Sequence, residues 1–314
     1  MKKLTKIIGI AFLSLTIFSC SSDSDSQPTI VDIASGNSDF STLVTALNRT
    51  GLTATLDGSG QFTVFAPTNT AFQNFFATLG PSVTVENVDV DVLKKVLLNH
   101  VIGSEIKSSA IPESTYVSTL SPFSTATNAP TISMFVQKSG NTVTINGGSS
   151  NGGTTVTTAD LDASNGVIHV VGNVIAIPTI KNHAIANPNF STLTSLLVAQ
   201  GLVPTLDGTE GSPFTVFAPI NTAFDTATLA LYGSLDSTNK TAVLLYHVVG
   251  GVNVRSNAIP AGNITTLQGQ TFSITGTSID DAGSTVNKNI ILTDVQCSNG
   301  IVHAIDKVLL PNLN

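Results

Sequence analysis

The chain has no tryptophan and only three tyrosines among its 314 residues. Carbohydrate clefts often use such rings as stacking platforms, so their scarcity argues against a deep sugar-binding groove. Charge is scarce too: Asp, Glu, Lys and Arg make up 11% of the residues, and 13 basic against 20 acidic side chains leave a formal charge of −7. A nucleic-acid partner needs a basic surplus to neutralise phosphates, and none exists here. Signatures of catalysis are also missing. There is no Gly-x-Ser-x-Gly elbow, no phosphate-cradling loop of Walker or Rossmann type, and no His-Glu-x-x-His. Past the N-terminus no apolar run is long enough to cross a bilayer as a helix. What is plentiful is apolar character, 41% of residues, which favours a folded core over disorder. The length allows two domains of ordinary size, each able to bury its own core.

The first twenty residues read as an export signal. Lys2, Lys3 and Lys6 precede a short apolar stretch, Ile7 to Phe18, which ends in Ser19-Cys20. This ending resembles the lipobox of bacterial lipoproteins, in which the cysteine becomes the acylated N-terminus. Residues 1–19 are thus expected to be a signal peptide, with Cys20 as the lipidation site. Residues 20–28 form a polar, acidic tether. An acidic stretch directly after the cysteine resembles the surface-export signals of some Gram-negative envelopes. The expected location is the outer membrane, facing periplasm or surface, with the surface favoured. Lipid would be the only membrane attachment. With Cys20 so used, Cys297 has no partner for an intrachain disulfide, and its apolar neighbours mark it as a small core residue.

The rest of the chain is a duplication. Phe40-Ser41-Thr42-Leu43 reappears as Phe190-Ser191-Thr192-Leu193, and Thr55-Leu56-Asp57-Gly58 as Thr205-Leu206-Asp207-Gly208. FTVFAPTNTAF (Phe62 to Phe72) returns as FTVFAPINTAF (Phe214 to Phe224), with a single difference, Thr68 against Ile220. LLNHVIG (Leu97 to Gly103) matches LLYHVVG (Leu244 to Gly250), and NGVIHVV (Asn165 to Val171) matches NGIVHAI (Asn299 to Ile305). The units are expected to span 29–178 and 179–314, with almost no linker, so the copies should touch and hold a preferred orientation. Copy 1 carries fourteen extra residues before the Asn-Gly motif, partly in the Gly- and Ser-rich stretch Asn146 to Thr154, which reads as a mobile hairpin tip.

Periodicity predicts helices early in each copy and strands late. Leu43, Val44 and Leu47 place a helix over Ser41 to Thr50, capped by Asp39 or Ser41 and stopped by Gly51; Ser191 to Gln200 repeats it. Asn69 or Thr70 can cap a short helix carrying Phe72, Phe75 and Phe76. Asp91 to His100 is amphipathic, with Thr241 to Val248 as its counterpart. Stretches rich in Thr, Val and Ile, such as Thr131 to Val136 and Thr271 to Ile274, read as strands, and the two Asn-Gly pairs as turns into the closing strands. The fold class is α+β.

These landmarks, in this order, resemble the fasciclin-like domain. The Phe-Thr-Val-Phe-Ala-Pro-x-Asn-x-Ala-Phe segment looks like that family's first signature. Asn-Gly-x-x-His, with Val308-Leu309-Leu310-Pro311 after it in copy 2, looks like the second. The resemblance spans Thr29 to Pro311. It implies two tandem domains, each a β-sandwich or wedge with helices packed alongside. It also implies an extracellular adhesion or matrix-binding role without catalysis or an obligatory cofactor. In animal members the central tyrosine–histidine segment is tied to receptor binding. That makes Tyr246 and His247 a candidate partner-binding segment, with Asn99 and His100 as their counterparts in copy 1, where Asn99 stands in place of the tyrosine.

The remaining candidates read as structural. His100, His169, His247 and His303 have no second histidine at helical spacing, so backbone-bonded imidazoles are expected rather than metal ligands. His183 replaces Ile33 of copy 1 and is expected to be exposed. Asp89 and Asp91 fit helix capping better than calcium, and Asp280-Asp281 reads as a hairpin turn. Phe123, Met134 and Phe135 fit either an exposed patch or the core. The expected function is a surface-anchored, non-enzymatic adhesion or matrix-binding protein, with neither metal nor cofactor and with a cell-surface, matrix or polysaccharide ligand. The alternative is an accessory lipoprotein that captures a polysaccharide or other polymer at the envelope.

Overall fold

The computed structural model describes residues 27–208, 210–260 and 262–313. The export signal and Cys20 lie outside these residues.

Copy 1 contains five α-helices: α1 (Ile30–Ser35), α2 (Ser41–Thr50), α3 (Thr53–Leu56), α4 (Asn69–Leu79) and α5 (Val90–Leu98). Copy 2 contains α6 (Ile180–Ala186), α7 (Ser191–Ala199), α8 (Val203–Asp207), α9 (Thr226–Ser234) and α10 (Ser237–Leu245). Gly51 ends α2 at φ 69° as a left-handed stop. The start of α2 differs from expectation: neither Asp39 nor Ser41 caps it. Instead Asn69, of the first repeated motif, accepts the Thr42 amide at 2.9 Å and donates to Ser38 O at 2.8 Å. Asn221 does the same in copy 2, accepting from Thr192 N at 3.0 Å. With Asn69 engaged there, Thr68 caps α4. The one difference within the motif therefore matters locally. Ile220 has no oxygen to offer, and copy 2 makes only a short turn over Asn221–Ala223. Its helix restarts at Thr226, capped by Asp225. Asp89 caps α5 through Asp91 N and Val92 N, as expected. Asp236 caps α10, which starts at Ser237, earlier than the pattern indicates.

Copy 1 has seven strands: β1 (Phe62–Pro67), β2 (Val101–Ile102), β3 (Ser114–Pro122), β4 (Thr131–Ser139), β5 (Thr142–Ile145), β6 (Thr154–Ala163) and β7 (Gly166–Val171). They form one sheet in the order β2-β1-β7-β6-β5-β4-β3. Copy 2 repeats this with β8 (Phe214–Pro219), β9 (Val248–Val249), β10 (Asn263–Thr265), β11 (Thr271–Thr275), β12 (Ser278–Asp280), β13 (Lys288–Cys297) and β14 (Gly300–Ile305), ordered β10-β11-β12-β13-β14-β8-β9. Substituting each strand by its counterpart makes the orders identical. Both copies share the parallel central pair, Phe65 opposite His169 and Phe217 opposite His303.

Each sheet folds over on its long strand. The register of β6 slips twice against β7, and that of β13 twice against β14. At the slips Asp160 and Asp294 take φ 60° and 64°, a conformation that bulges use to bend a strand. The bend makes a wedge with two cores per copy. In copy 1 the helices bury Phe40, Leu43, Phe72 and Leu93 against one face of β1 and β7, while Phe65, Ile102, Met134, Val136 and Ile145 pack on the inner side of the wedge. Met134 and Phe135 are thus core residues.

The Asn-Gly pairs tie the start of each copy to its end. Asn165 accepts from Ile30 N at 3.0 Å and donates to Leu56 O at 2.7 Å; Asn299 accepts from Ile180 N at 3.0 Å and donates to Leu206 O at 2.8 Å. A Cβ on Gly166 or Gly300 would lie 2.0 or 2.2 Å from a β1 or β8 carbonyl oxygen, so only glycine fits beside those strands.

The copies meet along a polar and aromatic seam. Gln296 N on β13 donates to Ser133 Oγ on β4 at 2.9 Å, and Asn187 Nδ2 donates to the Tyr116 hydroxyl at 3.2 Å. The stretch expected to be a mobile tip is instead a clamp. Asn151 Nδ2 donates to Asn182 O at 2.8 Å, and Asn182 Nδ2 returns bonds of 3.1 Å to Asn151 O and Oδ1. Asn146, Asn151 and Thr154 are buried. Periodicity cannot see this use, because the partners lie in the other copy.

Candidate functional site

The tyrosine–histidine segment follows α10, and its counterpart follows α5. Both are sealed: Tyr246 and Asn99 are 0% exposed, His247 and His100 2%. His100 Nδ1 donates to Val96 O at 2.7 Å while Nε2 accepts from Ile175 N at 2.8 Å. His247 repeats this with Val243 O at 2.8 Å and Leu309 N at 2.9 Å. Each ring straps the helix end to the segment leaving the last strand. Burial lowers both pKa values to about 4, so the imidazoles are neutral at pH 7.

Tyr246 and Asn99 solve one position differently. The Tyr246 hydroxyl donates to Thr271 O at 2.6 Å and accepts from Ala282 N at 3.2 Å, with its ring edge-on to Phe272. Asn99 Nδ2 reaches Ile175 O and Ala176 O at 3.3 and 3.2 Å, but its Oδ1 is buried without a partner. In this conformation all four side chains lie in the interior and shape it.

The other histidine pair sits at the strand bulges. His169 Nδ1 accepts from Asp160 N at 3.2 Å, and Nε2 donates to Ile106 O at 3.0 Å. His303 does likewise with Asp294 N and Val254 O, at 3.3 and 2.9 Å. Asp160 also accepts from Ser108 N at 2.8 Å and from the Ser108 hydroxyl, and Asp294 accepts both donors of Ser256 at 2.8 and 2.7 Å. Partial burial raises the Asp160 pKa, but the Ser108 bonds outweigh it and hold the carboxyl low. The Ser-Asp-His composition resembles a hydrolytic triad, yet the wiring differs. The serine bonds the carboxylate directly and each histidine nitrogen is spent on backbone, so no base is available to take the serine proton. Sequence reading missed Asp160 and Asp294, because a bulge leaves no periodic trace.

His183 departs from expectation. It is 1% exposed, packed nearly edge-on against Tyr116 with ring centroids 5.4 Å apart. Neither ring nitrogen meets hydrogen-bonding geometry, the backbone of Ser133 lying alongside. Burial lowers its pKa to about 4. Copy 1 covers this face of α6, whereas the equivalent Ile33 is only half-buried. Asp281 departs as well. It is no open turn residue: its carboxylate meets buried Lys288 at 3.0 Å and accepts from Leu310 N at 2.7 Å. Cys297 is a buried free thiol, pushed well above its ordinary pKa by desolvation. Among the described residues no group of three or more His, Cys, Asp or Glu could hold a metal ion.

The fasciclin domain model matches residues 38–178 and 188–311. Protein sll1483 of Synechocystis is 42% identical over 158 residues, 49% of this chain and 76% of that protein. Periostin of Homo sapiens is 26% identical over 269 residues, 82% of this chain but 29% of periostin. Immunogenic protein MPB70 of Mycobacterium bovis is 33% identical over 132 residues, 40% of this chain and 65% of that protein. The solved FAS1 domain pair of the insect cell adhesion molecule Fasciclin I aligns with a TM-score of 0.49 and 18% identity, covering 84% of this chain and 92% of that one. With both copies matched across most of the described residues, the chain belongs to the fasciclin domain family.

Proposed function

We propose that this chain is a non-enzymatic adhesion or matrix-binding protein, held at the cell surface by acyl chains on Cys20 and displaying units 29–178 and 179–314 as one clamped pair. The observation that carries this reading is the sealing of the polar machinery. The four repeated histidines, Tyr246 and the Cys297 thiol all lie inside, bonded to backbone or buried in apolar surroundings. Among the described residues these groups are spent on the fold, which leaves the outer surface to meet a partner. Membership of the fasciclin family, with its resemblance-based adhesive role, points the same way. The anchor is proposed from the ending Ile17-Phe18-Ser19-Cys20; among the described residues no helix is long and apolar enough to cross a membrane. Deleting the gene should weaken attachment to surfaces or biofilm cohesion, and C20S should abolish labelling by an alkyne fatty acid and release the protein. Unchanged attachment across several surfaces rejects adhesion; persistent acyl labelling of C20S rejects the anchor.

One observation favours the alternative of polymer capture. An open, polar cleft of about 590 Å³ lies where the β4–β5 turn approaches copy 2, lined by Glu113, Ser114, Gln137, Lys138 and Pro188. A glycan array probed with residues 27–314 tests it, and silence across plant and algal polymers removes this reading.

A further inference from the structure

The two wedges have one topology but are filled differently. In copy 2 the space inside the fold is taken by rings: Phe217 meets Phe272 edge-on at 5.1 Å, and Tyr246 meets Phe272 at 5.8 Å. Ile264, opposite Phe272, adds bulk to the same core. In copy 1 the tyrosine position is Asn99, Met134 stands where copy 2 has Phe272, and Val117 and Val136 stand where it has Ile264 and Ile274. Beside this smaller-residue core lies an opening of about 330 Å³, running from Phe65, Ile102 and Val136 outward past Thr115 and Ile106.

The chemistry of the lining is simple. The Thr63 hydroxyl is already spent, donating to Ser104 O at 2.7 Å and accepting from Ile106 N at 2.8 Å. Glu105 is the one ionisable side chain on the wall. Its nearest cation, Lys107, stands 4.0 Å away and is engaged by Asp162 at 3.0 Å. In copy 2 the equivalent position is Asn253, locked into a reciprocal amide pair with Gln296 at 3.0 and 3.1 Å. Copy 1 therefore combines an apolar chamber with one underused carboxylate at its rim. We propose that the copy 1 wedge is a binding site for a small amphiphilic amine, its apolar ring or branched alkyl body inside and its ammonium group on Glu105. The volume lies at the small end of ordinary ligand pockets, and a few placed polar groups in an apolar wall is their usual pattern. This site is independent of the adhesive reading, since it uses the interior of one copy rather than the outer surface of the pair.

The test uses residues 27–314, which hold both sheets and every core described, with two probes sharing one ring system and differing in charge: 1-naphthylmethylamine and 1-naphthoate. Calorimetric titration should show one amine bound per chain, about tenfold more tightly than the carboxylate (~1.4 kcal/mol). T115F, which grows a ring into the opening, should weaken the amine at least about tenfold while leaving the thermal midpoint close to wild type. E105Q, an exposed change that leaves the core untouched, should remove the preference for the amine, and E105K should reverse it. Failure of the amine to saturate by about 1 mM overturns the site. Wild-type binding by folded T115F does the same, and a preference indifferent to E105Q and E105K overturns the amine assignment even if T115F does not fold.

Discussion

At the scale of single residues, the buried histidines make stability depend on pH. His100, His183 and His247 are held at about 4, against an ordinary 6.5. Between those values the unfolded chain binds protons that the folded chain refuses, so stability falls as pH drops from about 6.5 to 4 and is flat above that window. A shift of this size corresponds to roughly 3 kcal/mol per ring. Urea unfolding at pH 7 and pH 4.5 should show this loss. H183I, which installs the copy 1 residue, should reduce the slope by about one proton, because it removes one ring that takes up its proton in the unfolded chain before the folded one. An unchanged slope would mean that His183 is not the neutral buried ring described. Lys288 and Asp281 make a second prediction. K288M leaves a carboxylate inside without its cation and should cost about 3–5 kcal/mol, measured by denaturant midpoint. Adding D281L to K288M should recover much of that loss, since a packed apolar pair avoids the desolvation that the ion pair must offset.

At the scale of elements, the motif pair Thr68 and Ile220 separates what sequence can show from what it cannot. T68V should fray the start of α4 and cost about 1 kcal/mol, read from thermal melts, because the Ala71 amide loses its acceptor. I220T, at the same place in copy 2, should gain little, because Asp225 already caps the later helix. Short-range signals of this kind were legible: the helical spacing of Leu43 and Leu47, Gly51 at the end of α2, Asp89 before α5, the Asn-Gly turns and the duplicated topology itself. The missed features depend on three-dimensional context that composition and spacing do not encode. Asn69 caps a helix 27 residues earlier, Asp281 finds Lys288 across β12 and β13, and the bulges at Asp160 and Asp294 change strand direction without changing composition. The candidate segment was legible as a position and not as an environment. Its residues were identifiable by alignment of the copies, whereas their burial follows only once the wedge closes over them.

At the scale of the whole molecule, the clamp between copies is what turns a duplication into one body. The loop from Asn146 to Gly153 crosses onto α6, and Gly147, at φ 75°, lies so close that a Cβ there would stand 3.0 Å from Ala186 Cα and 3.3 Å from its Cβ. Any larger side chain must push α6 away or withdraw the loop, and either movement separates Asn151 from Asn182 and uncovers His183 beside Tyr116. G147V should therefore split a single calorimetric transition into two and lengthen the molecule in small-angle scattering. Its destabilisation should be about 1–3 kcal/mol, the usual scale of overpacking. Backbone strain alone would also destabilise, so a control is needed at a glycine of similar conformation in open space. Gly140 provides it, with φ 58° and nothing within 4 Å of its Cβ position. G140V should lower the midpoint through strain while leaving one transition and an unchanged scattering profile. If both variants behave alike, the seam does not couple the copies, and each wedge folds and moves as a separate unit on a short tether.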